Sequence, residues 1–102
     1  MQPEKELEHL ITDYCGIMHI EYIINQQQKM SRGGSWASIG TTKGIFDMCI
    51  FYHGRTLWVE LKVAKRKLSA DQEEFRAKLL RRQIISYVVR SLDDFKMVLE
   101  VN

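Results

Sequence analysis

The chain has 102 residues, of which 45% are hydrophobic and 27% are charged, and its formal net charge is +2. This length and composition predict one small folded domain over residues 1–102 and exclude a disordered chain. The two cysteines and three histidines lack metal-motif spacing, and no apolar run approaches the ~18 residues of a membrane span, so we expect a cytoplasmic protein in a reducing setting.

The first predicted element is a helix over Pro3–Cys15. Proline suits the first helical turn, and acidic residues near a helix N-terminus interact favourably with the helix dipole. Apolar residues with helical spacing form the expected buried stripe: Leu7, Leu10, Ile11 and Tyr14. Glu4 falls on or near that stripe, so it is either a surface acid that favours the helix N-terminus or an acid directed at a functional site. Gly16 is expected to end the helix.

A strand and a polar segment are predicted after this helix. Residues 17–25 contain isoleucines and a tyrosine that favour a strand. The segment 26–35 is polar and contains glycine, which predicts a loop, and it carries the basic residues Lys29 and Arg32. Residues 40–44 lack the Gly-x-x-x-x-Gly-Lys-Ser/Thr order of a phosphate-binding loop and predict a turn instead.

A hairpin is predicted in the middle of the chain. Residues 47–52 and 55–62 are rich in strand-forming residues, and His53-Gly54 between them suits a two-residue turn in which glycine supplies a positive φ. A turn of this length fixes the register of the two strands. The register places Asp47 directly opposite Glu60.

The two facing acids define the candidate site. Opposed residues have Cβ atoms roughly 4.5–5.5 Å apart, and like charges in that position destabilise a sheet. A hard divalent cation such as Mg²⁺ would offset that repulsion. Because side chains alternate along a strand, Trp58, Glu60 and Lys62 share one face. The competing interpretation is that these charges lie on the solvated face of a half-buried sheet. The opposite face is apolar and predicts core: Ile50, Leu57, Val59, Leu61 and Val63.

The second half of the chain predicts a parallel crossover. Ser69 with Gln72 three residues later forms a capping box for a helix that runs to about Arg82. The β-branched run 84–89 predicts an interior strand, parallel to the second hairpin strand and reached by a right-handed connection. Ser91 caps a last helix. The element order therefore predicts an α/β fold, a small mixed β-sheet flanked by helices.

The ordered set of motifs resembles a known family. Asp47 followed by Glu60-Leu61-Lys62 resembles the Asp…(Asp/Glu)-x-Lys signature of the restriction-endonuclease-like nucleases. With Gly40-x-x-Lys43-Gly44 before it and Ser69-x-x-Gln72 after it, the pattern looks like the virus-type replication-repair nuclease (VRR-NUC) domain, over nearly the whole chain. The family usually has proline before the aspartate, where this chain has Phe46. The resemblance implies a restriction-endonuclease-like core of αβββαβ topology with a C-terminal helix.

The resemblance also implies an activity. It implies a deoxyribonuclease that hydrolyses phosphodiester bonds with Mg²⁺ or Mn²⁺, bound by Asp47, Glu60, the backbone carbonyl of Leu61, and Glu4. Glu8, one turn further along the helix, is the alternative helix acid. Lys62 would orient the attacking water or stabilise the transition state, and Gln72 would approach the site, in competition with a purely capping role. The residues assigned to catalysis are Asp47, Glu60, Lys62, Gln72 and Glu4.

DNA is the expected partner. Basic residues near the site suit a phosphate backbone, although a solvated helix face would look the same. The expected DNA-binding residues are Lys29, Arg32, Lys43, Lys65, Arg66 and Lys67. Stand-alone members of the resembled family look like junction-cutting homodimers. We therefore expect a structure-selective endonuclease for branched double-stranded DNA such as Holliday junctions, in a bacterial or phage-infected cell.

Two alternatives to that function stay open. One is a non-specific or flap- and end-processing nuclease within a larger repair or restriction system. The other is a DNA-binding module without catalysis. If the protein is a dimer, candidate interface residues, each of which would otherwise belong to the core, are Ile17, Met18, Met30 and Trp36.

Overall fold

The computed structural model describes residues 3–25 and 43–101. The elements in chain order are α1 (Pro3–Met18), β1 (Glu21–Ile24), β2 (Met48–Tyr52), β3 (Arg55–Leu61), α2 (Ala70–Arg81), β4 (Ser86–Val89) and α3 (Leu92–Glu100). The sheet order is β1-β2-β3-β4, in which β4 is parallel to β3 and the other pairs are antiparallel. The expected α/β fold, a mixed sheet flanked by helices, is confirmed.

The hairpin of β2 and β3 has the predicted register. Met48 pairs with Val59 and Tyr52 pairs with Arg55. His53 and Gly54 both have positive φ, 50° and 77°, as a two-residue turn matched to the sheet twist requires. This turn fixes which residues of the two strands share a face.

One face of the sheet, the core face, packs against α1 and α3. The fully or nearly buried residues of this layer come from β2, β3, β4 and the two helices: Leu7, Ile11, Cys15, Met48, Ile50, Leu57, Val59, Leu61, Val89, Phe95, Val98 and Leu99. The core predicted for the hairpin is confirmed, with Val63 partly buried at its margin. Burial of this apolar area is the main stabilising contribution to the fold.

The opposite face, the α2 face, carries Asp47, Trp58 and Glu60, because side chains alternate along each strand. Helix α2 lies in the crossover from β3 to β4 and contributes one buried residue, Phe75, to this face. The Phe75 ring contacts the rings of Phe46 and Trp58, with centroids 5.4 and 5.3 Å apart. This aromatic cluster fixes α2 beside the strand end that carries the acids.

Several expected boundaries are wrong. Helix α1 continues through Gly16 to Met18, and His19 with φ 58° follows its end. The strand β1 begins at Glu21 rather than at residue 17. Ile17 and Met18 are exposed rather than buried in the core. Glycine can adopt helical dihedral angles, so Gly16 does not end the helix. The helix continues until the chain turns toward β1 at His19.

The apolar stripe of α1 also differs from the prediction at two positions. Cys15, four residues after Ile11, is fully buried, while Leu10 is about half exposed at 53%. Residues four apart lie on the same helix face, so the buried stripe runs through Leu7, Ile11 and Cys15.

Among the described helices, none combines the length and the hydropathy that a membrane crossing needs.

Candidate active site

The Asp47 and Glu60 side chains meet at the open end of the hairpin. The Asp47 backbone N–H donates to Oε1 of Glu60, and the Leu61 backbone N–H donates to Oδ2 of Asp47, both at 3.0 Å. Each carboxylate thus binds the main chain of the other strand, one residue beyond the pair of Met48 with Val59. The structure therefore brings together the two acids that the register predicted.

Glu60 is enclosed by polar partners in an otherwise apolar layer. Its side chain is 3% exposed. The Gln72 amide Nε2 donates to Oε2 of Glu60 at 2.7 Å, and the Lys62 Nζ lies 3.6 Å from the same oxygen. Lys62 itself is only 13% exposed. A buried carboxylate is tolerated when hydrogen bonds and an opposite charge compensate for its lost hydration, and Glu60 has both.

Burial and mutual repulsion change the titration of the two acids. Burial first, and the Asp47 charge second, raise the pKa of Glu60 to about 7, against the lowering effects of Lys62 and the hydrogen bonds. The pKa of Asp47 is also raised, chiefly by burial, although the Leu61 N–H lowers it. The pair therefore holds a proton more readily than two free carboxyl groups would, and a bound cation would oppose that protonation. Perturbed pKa values of this kind cluster at functional sites.

Gln72 has both of the roles that the sequence left in competition. Its Oε1 accepts from the Ser69 N–H at 2.9 Å, and its backbone N–H donates to Ser69 Oγ at 3.1 Å, which completes the capping box of α2. Its Nε2 donates to Glu60. The side-chain oxygen of Gln72 caps α2, and its side-chain nitrogen binds Glu60 on β3. The capping box therefore fixes the side chain that orients Glu60.

Gly44 allows α2 to approach the acids. It has φ +76°, and a Cβ at this position would lie 2.2 Å from the Asp71 backbone oxygen. Only glycine accepts both the positive φ and this close backbone contact. The first turn of α2 therefore packs directly against the turn before Asp47, which explains why a glycine three residues before the acid matters.

Glu4 lies near Asp47. Its charge is among the causes that raise the pKa of Asp47. Its Oε2 is buried and has no hydrogen-bond partner in the described part of the chain, and the Arg66 guanidinium lies 3.5 Å away. The alternative helix acid, Glu8, instead pairs with Lys5 at 3.5 Å. The geometry thus favours Glu4 over Glu8 as the third acid.

The residues present fit a hard divalent cation in their chemistry. The buried Glu60 and the partly buried Asp47, both with raised pKa values, and an unsatisfied oxygen of Glu4 supply the oxygen ligands that Mg²⁺ and Mn²⁺ prefer. Within residues 3–25 and 43–101, no three Asp, Glu, His or Cys side chains are already gathered closely enough to hold a metal ion. Glu4 would have to shift toward Asp47 to complete the set.

The basic residues expected to bind DNA divide into two groups. Lys43 is exposed just before Gly44, and Lys65, Arg66 and Lys67 are exposed in the connection between β3 and α2. Lys29 and Arg32 lie outside the described residues, as do the candidate interface residues Met30 and Trp36.

Arg90 holds the connection that carries Lys65, Arg66 and Lys67, and the sequence did not predict this role. Its Nη1 donates to the backbone oxygens of Ala64 and Arg66, at 3.0 and 2.8 Å, and so fixes the basic connection. It stands directly after β4, and Lys62 follows β3, so the parallel pairing of Leu61 with Val89 brings the two strand ends together. No local spacing signals that contact. Only the β3–β4 register could have suggested it.

The fold, with acids at the open end of a hairpin and a lysine beside them, has the plan of a restriction-endonuclease-like core. A solved structure of a VRR_NUC domain protein has the same fold, with a TM-score of 0.70 over 98% of this chain and 87% of that chain, at 16% sequence identity. No protein-family model matches the sequence. No curated protein matches it either. At this identity the likeness is one of fold, and it confirms the fold expected from the motifs.

Proposed function

We propose that this protein is a Mg²⁺- or Mn²⁺-dependent DNA endonuclease that hydrolyses phosphodiester bonds in branched DNA as a homodimer. The observation that supports it best is the pairing of a buried Glu60 with a partly buried Asp47, with Lys62 3.6 Å from Glu60. Solvated charges on an ordinary sheet face would not lose hydration in this way, and their carboxylates would not each accept a hydrogen bond from the main chain of the facing segment. The fold shared with a VRR_NUC domain protein supports the same class of activity.

Each residue of the candidate site has a role in this proposal. Asp47, Glu60, the Leu61 carbonyl and Glu4 would hold the metal ion, which supplies an electrophile for a phosphate oxygen and a water of lowered pKa. Lys62 holds its ammonium group beside Glu60, where it can orient the attacking water or stabilise negative charge on the phosphate. Gln72 keeps the Glu60 carboxylate in one orientation. Its contribution is positioning, because it acts through Glu60.

DNA would be held through its backbone. Lys43, Lys65, Arg66 and Lys67 are exposed on segments that border the acids, and Lys29 and Arg32 precede the same region in sequence. Contacts of this kind give affinity without reading base sequence, which suits selection by DNA shape.

Two-fold symmetry would give a dimer two active sites for paired incisions. On α1, the exposed Ile17 (75%) and Met18 (52%) offer apolar area for such contact.

Cleavage assays on a panel of linear, nicked, flap and four-way DNA, with Mg²⁺, Mn²⁺ or EDTA, test the proposal. We expect metal-dependent cleavage, greatest on the four-way substrate. Asp47→Ala and Glu60→Ala should each lower the cleavage rate by about 10³-fold or more, while DNA binding is retained. Glu74→Ala is the matched control, since Glu74 is an exposed acid paired with Arg81 on α2. Normal cleavage by both site variants would refute the catalytic assignment.

The same panel separates the alternatives. Metal-dependent cleavage that is greatest on flaps or ends would replace junction selectivity with end processing. Binding without cleavage under every metal condition would leave a DNA-binding module. Light scattering checks the assembly, and a monomer at assay concentrations would contradict paired incision.

A further inference from the structure

We propose that Arg66 exchanges partners. Its guanidinium pairs with Glu4 in the structure, and a divalent cation that binds Glu4 would release the guanidinium to a DNA phosphate. The site would then couple metal binding to DNA binding. This inference rests on the proposed function, because it concerns the metal and the DNA of that same site.

The ion pair has the geometry of an interaction that can be exchanged. Arg66 Nη1 lies 3.5 Å from Glu4 Oε2, beyond the 2.7–2.9 Å of a strong charge-assisted hydrogen bond. The Glu4 oxygen is buried and has no hydrogen-bond partner in the part of the chain that the structure describes. The Arg66 side chain is 66% exposed, so the guanidinium also faces solvent. Because one partner of the pair faces solvent and the separation is long, the pair contributes little stability, and a better partner would displace it.

The backbone that carries Arg66 is held in place independently of Glu4. Arg90 donates to the Ala64 and Arg66 oxygens, and the Arg66 N–H donates to the Val63 oxygen at 3.1 Å. Ala64 has φ +51°, the left-handed conformation of a tight turn. Because the turn is fixed from β4, Arg66 can change partners by rotating its side chain alone.

The two ligands are coupled through Glu4. A cation and a guanidinium compete for the same carboxylate oxygen, so a bound cation raises the fraction of molecules in which Arg66 is available to phosphate. By linkage, phosphate binding to Arg66 must then favour the cation at Glu4 to the same degree. Lys65 and Lys67 share the turn with Arg66, and within residues 3–25 and 43–101 only Arg66 pairs with Glu4, so the effect of these lysines on DNA binding should not depend on the metal.

DNA-binding measurements with and without Ca²⁺ test this exchange. The probe is a labelled four-way junction in EDTA or in Ca²⁺, which occupies oxygen sites without supporting turnover in many Mg²⁺ sites. We expect Arg66→Met to change the Kd less than about 2-fold in EDTA and to weaken binding about 5- to 10-fold in Ca²⁺, with a salt dependence lower by about one phosphate contact. Lys65→Met and Lys67→Met should weaken binding equally in both conditions.

Glu4→Gln provides the complementary variant. It should tighten DNA binding in EDTA, because Arg66 is no longer held, and in this background Arg66→Met should weaken binding even without metal. Glu6→Gln, an exposed acid on the same helix, controls for the loss of one negative charge. Without DNA, Arg66→Met should bind Ca²⁺ more tightly by calorimetry, and Lys65→Met should not.

Equal effects of Arg66→Met in EDTA and in Ca²⁺ overturn the exchange. No gain in DNA affinity for Glu4→Gln beyond that of Glu6→Gln overturns it as well. Neither result bears on cleavage, so the exchange can fail while the nuclease assignment holds. A protein that shows this coupling but never cuts DNA would retain the exchange and lose the proposed function.

Discussion

The two faces of the β2–β3 hairpin differ in the kind of side chain they bury: one buries apolar groups, and the other buries a carboxylate. On the core face, Met48, Ile50, Leu57 and Val59 lose hydration and gain close packing against α1 and α3. On the α2 face, Glu60 is as deeply buried, but its carboxylate depends on specific partners: the Asp47 N–H, the Gln72 amide and the Lys62 ammonium. Burial on the core face stabilises the fold. Burial of the Glu60 carboxylate on the α2 face lowers the stability, and the core face offsets this loss.

The comparison shows that one register serves both faces. A slip of one residue between β2 and β3 would move the core side chains to the α2 face and separate Asp47 from Glu60. The apolar side chains of the core face therefore position the acids without contacting them. The two faces should respond differently to substitution: the core face through stability, and the α2 face through chemistry.

Phe95→Ala should give the largest loss of stability on the core side. Phe95 is fully buried on α3, and its ring meets Tyr14 edge to face at 6.2 Å. Its removal leaves a cavity, and we expect unfolding free energy to fall by about 3–5 kcal/mol in urea titrations. Phe95→Leu, which fills most of the space, should cost less. If Phe95→Ala left the free energy of unfolding unchanged, the assignment of the core to this face would be wrong.

Gly44→Ala should disturb the packing of α2 against the turn before Asp47. A Cβ would lie 2.2 Å from the Asp71 oxygen, and φ +76° is strained for alanine, so α2 must move away. We expect a loss of roughly 1–3 kcal/mol together with slower cleavage, because the hydrogen bond from Gln72 to Glu60 lengthens. Gly54→Ala is the control: it also has positive φ, 77°, but no atom lies within 4 Å of its Cβ. Equal effects of the two variants on kcat would show that the contact with α2 is unimportant.

The sequence predicted the hairpin end of the site well, because strand alternation and a two-residue turn are local rules. The placement of Asp47 opposite Glu60 follows from His53-Gly54 alone. The capping box of Ser69 and Gln72 is equally local. In contrast, the contact of Gln72 with Glu60 depends on how α2 returns over the sheet, and a sequence pattern carries no distance across that crossover.

The wrong predictions have the same origin. The helix end at Gly16 follows from local propensity and the burial of Leu10 from helical spacing, but α1 is positioned by its packing against α3 and the sheet. Tertiary packing overrides propensity at such places. Arg90 was missed because its partners, the Ala64 and Arg66 oxygens, are 26 and 24 residues away. Main-chain oxygens leave no signature in a sequence.

The pH dependence of stability should reveal the buried acid of the α2 face. The pKa of Glu60 is raised to about 7 from an ordinary 4.5, so the native state binds the proton more tightly than the unfolded state. The resulting stabilisation is fully present below about pH 4.5 and is lost as the pH rises through 7. We expect a contribution on the order of 2 kcal/mol, seen as lower stability at pH 8 than at pH 5 in metal-free urea titrations.

Glu60→Gln is the matched variant for this pH dependence, because it cannot titrate. It should lose the fall in stability between pH 5 and pH 8, whereas Glu74→Gln, at an exposed position of α2, should keep it. Added Mg²⁺ should restore stability to the wild type at pH 8, since a cation favours the ionised pair. An unchanged pH profile in Glu60→Gln would mean that another group carries the dependence.

The smallest effect separates the two roles of Gln72. Ser69→Ala removes the oxygen that caps α2 but leaves the Gln72 amide beside Glu60, so it should cost about 1 kcal/mol of stability with little change in kcat. Gln72→Ala loses the reciprocal bond to the Ser69 N–H as well as the bond to Glu60. We expect a similar loss of stability but a fall in kcat of about tenfold at unchanged KM, and a higher pKa in the pH–rate profile, because the hydrogen bond that lowers the pKa of Glu60 is gone. If both variants lowered kcat equally, Gln72 would act on the chemistry only by capping α2, and the α2 face would need the helix in place but no direct contact with it.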